Sequence, residues 1–170
     1  MKTLNRIILI NCLAAVLAYG IGGAAIMQDR VVAFVDNQAI TLSEFRVQFE
    51  NTVRISPSVT EEDVLNTMIN RIVLLKEAKK YRIEAPSKEE VIKEYINLKI
   101  RALLRVNDAE IEAFYQKNLH EFTGREYDEV RGEIENYLTE KLLNEKLKAT
   151  LIELRKNSYI KIQLKSITRD

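Results

Sequence analysis

Tyr159-Ile-Lys-Ile-Gln-Leu164, near the C-terminus, alternates apolar and polar side chains with the period of two that marks a half-buried β-strand. A single strand cannot satisfy its own backbone N–H and C=O groups. The only other stretch with strand character lies at the far end of the chain. Val31-Val-Ala-Phe-Val35 is rich in β-branched residues, and Asp36-Asn37 supplies turn chemistry because both tolerate positive φ. Gln38–Ile40 then returns as a second strand. The C-terminal strand is therefore expected to pair with the N-terminal hairpin and bring both ends of the body together.

Between these strands the pattern predicts helices. Thr41-Leu-Ser-Glu44 reads as a capping box opening helix one, with Phe45 and Phe49 four apart on one face, and Ser56-Pro57-Ser58 ends it. Thr60-Glu-Glu-Asp63 opens helix two, whose Val64, Leu65, Met68, Ile69, Ile72, Val73 and Leu75 form a stripe broad enough to bury much of its girth. Pro86 punctuates, and Ser87-Lys-Glu-Glu90 caps helix three, with apolar positions from Val91 on to Leu104. Asn107-Asp-Ala-Glu110 caps helix four, and Gly124 separates it from a long fifth helix over about 127–157. That helix carries Val130, Ile134, Leu138, Leu142, Leu147, Leu151 and Leu154 toward the core and a dense Glu/Lys face toward water. The fold class is mainly α: five helices packed around a small sheet made by the N-terminal hairpin and the C-terminal strand.

A chain of 170 residues fits one domain plus a leader. Residues 1–27 read as a targeting segment. Lys2 and Arg6 form a positive start, and the 21 residues from Ile7 to Met27 carry no charge. Ile7–Ala18 is a normal signal-peptide core, and Gly20–Ala25 offers small residues for cleavage; the same run also reaches the 20 or so residues that span a bilayer. Cleaved signal peptide and uncleaved anchor both place the body, residues 28–170, outside the cytoplasm, because the basic end stays inside. The expected location is the periplasm. Removing Lys2 and Arg6 from the 26 basic groups leaves 24 against 25 acidic, a net −1, so no long-range field favours nucleic acid or an anionic membrane.

Cys12, the single cysteine, lies in the leader, so the body is expected to have neither disulfide nor thiolate. His120 is the only histidine, which leaves no His/Cys set for a metal, and no cofactor is expected. Gly20-Ile-Gly-Gly-Ala-Ala25 matches a loose dinucleotide fingerprint but sits at the end of the leader without a preceding strand. No Gly-x-x-x-x-Gly-Lys-Ser/Thr loop is present, so ATP-driven work finds no support in the sequence.

The order of these segments resembles the SurA-like periplasmic chaperones. Val31–Phe45 is similar to their opening strand, turn and helix; Val64–Ala78 to their second helix; Asp108–Phe122 to the helix that enters an inserted parvulin-type prolyl isomerase domain; and Tyr127 through Ile162 to the closing helix and strand. Here Thr123-Gly-Arg-Glu126 stands where that domain sits, and four residues cannot replace a domain of about 50 or more. The resemblance thus implies a chaperone core without the enzyme, and helix three looks shortened relative to the family.

What the resemblance implies is an exported, ATP-independent holdase for unfolded exported or outer-membrane polypeptides. Its expected client contacts are Phe49, Val53, Ile55, Tyr95 and Leu98, apolar residues at helix ends or on wide stripes. Phe45, Phe49, Tyr95, Phe114 and Tyr115 also read as core residues, so the aromatic positions carry two expectations. A second reading is an adaptor, exported or membrane-anchored, that binds one folded partner. A third is a residual prolyl isomerase. The long fifth helix after a glycine hinge also leaves a domain-swapped dimer open.

Overall fold

The computed structural model describes residues 29–164, so the leader expected over 1–27 lies outside the described residues. β1 (Val31–Val35) and β2 (Gln38–Thr41) form the hairpin, and β3 (Ile160–Ile162) pairs with β1. The sheet order is β2-β1-β3, with both pairings antiparallel. The N-terminal hairpin and the C-terminal strand thus meet as the sequence predicts.

Asp36 is the clasp of this join. Its φ of 51° turns the hairpin in the left-handed region, where Asp is among the tolerated residues. Its N–H donates to the Tyr159 carbonyl at 2.7 Å, and its Oδ1 accepts from the Tyr159 N–H at 2.8 Å. Its Oδ2 accepts from Lys76 Nζ at 2.5 Å, and the same ammonium reaches Ser158 Oγ at 3.4 Å. One side chain therefore ties the hairpin turn, the second helix and the start of the last strand. A second tie lies close by: the Arg155 guanidinium donates to Asn70 Oδ1 at 2.8 Å and to Asn66 Oδ1 at 3.0 Å.

Five helices connect the strands: α1 (Leu42–Ile55), α2 (Glu61–Lys80), α3 (Lys88–Lys99), α4 (Asp108–Lys117) and α5 (Tyr127–Lys156). Thr41, Thr60, Ser87 and Asn107 cap the first four, each paired reciprocally with Glu44, Asp63, Glu90 and Glu110 respectively. These side chains satisfy backbone donors that the first helical turn leaves open. Gly124, at φ 79°, provides the left-handed residue in the turn before α5.

One expectation needs correction. The apolar run of the third helix continues to Leu104, but α3 stops at Lys99 and a 3-10 turn, Arg101–Leu103, follows. On an unbroken helix Ile100 would lie about 140° around the axis from Tyr95. The turn instead brings Ile100 and Leu104 into the cluster that holds Tyr95. The fold class is as expected, mainly α with five helices and a small three-stranded antiparallel sheet among the described residues. The core is three clusters strung along α5. Phe45, Val64, Leu65, Ile69 and Val73 pack against the sheet. Leu74, Ala78, Tyr95, Ile100, Leu104 and Leu143 join α2, α3 and the middle of α5. Ile111, Val130 and Ile134 join α4 to the start of α5.

The spine of the molecule is α5, whose 30 residues extend about 45 Å. Its buried side changes along its length. Val130 and Ile134 face α4, whereas Leu143 lies about half a turn around the axis from Ile134 and faces α2 and α3. Leu143 was not among the positions expected to be buried, because a single stripe cannot describe a helix with two partners.

Lys76 first, and then the Tyr159 N–H, hold the Asp36 carboxyl below its ordinary value of 3.8. A carboxylate that ionises more readily when folded adds stability above that ordinary value. The contribution is lost as pH falls through the lower folded-state value. Asp36→Asn keeps an acceptor and tolerates the turn, so it is expected to cost about 1 kcal/mol at neutral pH, a cost that vanishes in acid below the ordinary carboxylate range. Asp36→Ala also loses the acceptor for Tyr159 and strains the left-handed turn, for about 2–3 kcal/mol. Urea unfolding of both variants across the acid range checks the order and the pH dependence.

Candidate functional site

The five residues expected to touch a client fall into three situations. Ile55 at the end of α1 and Leu98 on α3 are open to solvent, 88% and 52% exposed. Phe49 and Val53 of α1 are half-buried; Phe49 packs against the sheet cluster, where its ring stacks on Phe45 with centroids 5.9 Å apart. Tyr95 is 5% exposed and belongs to the core between α2, α3 and α5. Its ring lies 6.1 Å from that of Tyr81, and burial pushes its phenol above the ordinary value. Tyr95 therefore cannot present a face to a partner without local unfolding, and of its two expectations the core one holds. The physical reason is the 3-10 turn after α3, which folds Ile100 and Leu104 around it.

The structure adds a feature the sequence did not single out. A groove of about 620 Å³ runs between the outer edge of β2 and the facing sides of α1 and α2. Met68, Ile72 and Leu75 of α2 line it opposite Val47 of α1, which is 60% exposed. The three α2 residues belong to the broad stripe read from the sequence. The sheet covers only part of that stripe, because β2 is an edge strand with no neighbour on its outer side among the described residues. The one sequence signal for the groove was the stripe's width. Val47 gave none, since isolated exposed apolar residues are common.

Polar residues border the groove unevenly. Glu44 is committed to the cap of α1, accepting from the Thr41 N–H at 2.9 Å. Arg71 pairs with Glu89. Lys88 makes no ion pair among the described residues, so the rim keeps a positive group on the α3 side. A partly apolar groove beside an edge strand has the shape and chemistry to take up a polypeptide segment. No group of three or more metal-ligating side chains occurs among the described residues, and His120 is exposed beside Glu121 at 3.8 Å.

The Thr123–Glu126 junction is a closed turn. The Arg125 guanidinium grips Glu133 through two bonds of 3.0 and 2.6 Å, and Tyr115 Oη donates to the Arg125 carbonyl at 3.0 Å. Phe114, Tyr115, Phe122 and Tyr127 pack over it ring against ring, with centroids 5.4–6.5 Å apart. Phe114 and Tyr115 are thus half-buried cluster residues. No protein-family model matches the chain, and no curated protein does.

The split between buried and open positions predicts opposite stability effects. Tyr95→Ala is expected to cost about 3 kcal/mol or more, as truncations of buried aromatic residues do. Ile55→Ser and Leu98→Ser are expected to stay within about 0.5 kcal/mol of the parent. Equilibrium denaturation of the three variants makes the comparison.

Proposed function

We propose that the chain is an exported, ATP-independent holdase that binds unfolded polypeptides through open apolar surface. The observation that carries the reading is the apolar groove between α1 and α2, accompanied by large apolar side chains left open to solvent. Val47, Ile55, Leu98 and Leu103 are between 52% and 88% exposed, and the α1–α2 groove adds a concave apolar wall. The groove is the contiguous surface of the kind that marks interaction sites, and the exposed residues outside it add single contact points. The segment order and the hairpin-to-strand join support the likeness to SurA-like chaperone cores. The leader over 1–27 supports export.

The mechanism needs no fuel. Client apolar surface buried on contact gains roughly 25 cal/mol per Å², while lost motion and ordering of both partners cancel much of it. Scattered contacts at Ile55, Leu98 and the groove therefore give weak, reversible capture, and the client leaves by folding or by transfer. With only a closed turn at 123–126, the proposal includes no prolyl isomerase activity.

Titrating the full chain against an unfolded outer-membrane protein, without ATP, tests the reading. Light scattering is expected to show aggregation suppressed near equimolar ratio, and Ile55→Ser with Leu98→Ser is expected to weaken suppression without loss of helical signal. No suppression by a folded sample favours the adaptor reading, in which one folded partner is recovered stoichiometrically.

A further inference from the structure

We propose that β2 takes up an extended segment of a non-native polypeptide as a fourth strand, laid in the groove between α1 and α2. This rests on the holdase reading and names how the client is held. The assignment begins with which backbone groups face outward. The Val32 carbonyl accepts from the Gln163 N–H at 2.8 Å, and the Asp36 N–H donates to the Tyr159 carbonyl at 2.7 Å. Even-numbered positions along β1 therefore turn toward β3. The odd-numbered positions turn toward β2, where Val35 lies opposite Gln38 and Ala33 opposite Ile40. Ala39, between those two, turns its N–H and C=O away from β1. At the next such position, Thr41, the N–H is already taken by Glu44 Oε2 at 2.9 Å. Among the described residues this edge is open, and it offers a matched donor and acceptor at Ala39, enough for one paired bridge with an incoming strand.

Ala39 itself lines the groove. A strand added there lies about 4.8 Å from β2 and sends alternate side chains down to Met68, Ile72 and Leu75. The occupant is therefore extended and apolar at alternate positions. Charge narrows it further: Glu44 is occupied by the helix cap, while Lys88 on the α3 side is unpaired among the described residues. A segment with an acidic residue fits this rim better than one with a basic residue. Edge pairing reads backbone, which suits a protein that must accept many sequences.

The probe is a short peptide of alternating valine and threonine with one aspartate, added to the full chain. Amide exchange at Ala39, followed by NMR, is expected to slow about tenfold or more on saturation. The same peptide N-methylated at residues facing β2 is expected to bind about tenfold more weakly, and a lysine in place of the aspartate is also expected to weaken it. Equal affinity of the N-methylated peptide, an Ala39 amide unchanged in the bound state, or no binding of the parent peptide would each overturn edge addition. Ala39→Pro removes the outward donor without touching a bond to β1. If that variant folds by circular dichroism and still binds the peptide at full strength, edge addition is also wrong. Aggregation suppression separates the two levels. Suppression that persists while edge pairing fails leaves the holdase standing, whereas Ala39 protection without suppression removes the holdase and keeps the edge site.

Discussion

The pairing of β3 with β1, clasped by Asp36, is the constraint on which the rest of the fold depends. It joins segments separated by more than a hundred residues, and the five described helices lie between them. Closing so long a loop costs chain entropy before any local contact repays it. The join must therefore be held by several bonds at once. Asp36 supplies them to Lys76, to Ser158 through the shared ammonium, and to both backbone groups of Tyr159. Arg155 reinforces the same corner by bridging Asn66 and Asn70.

From that corner α5 runs outward as a spine, and the remaining helices attach to it in small groups. Each cluster is modest, and the one that joins α4 to α5 shares no buried residue with the sheet cluster. Small separate cores open more readily than one large core. They also leave more apolar surface uncovered at their margins, as at Leu98, Leu103 and the α1–α2 groove. The proposed holding function thus grows from the architecture itself. A compact single core would have covered these residues and left nothing for a client.

Much of this was legible in the sequence because it is written in local chemistry. Thr41, Thr60, Ser87 and Asn107 announce helix starts through side chains acting three residues away, and those contacts need no tertiary context. The alternation of Ile160 and Ile162 with Lys161 likewise identifies a strand, and the shortage of other strands fixes its partner. What escaped depends on neighbours. The break after Lys99 serves the packing of Ile100 and Leu104, which no local signal encodes. The half-turn change in the buried side of α5 appears only once α4 and α2 take their places. For the same reason the expected contact set was mixed: Ile55 and Leu98 are open, Phe49 and Val53 half-covered, and Tyr95 enclosed. Stripe width revealed excess apolar surface on α2, but only the edge position of β2 shows which part stays uncovered.

The most direct test of this architecture is removal of residues 159–170, which takes away β3 and the Tyr159 half of the clasp while leaving the five described helices in the sequence. The expected result is loss of the cooperative thermal transition seen by circular dichroism in the full chain, with residual helix melting gradually. A truncated chain that still melts cooperatively near the full-length temperature would contradict the claim that the joined ends hold the fold.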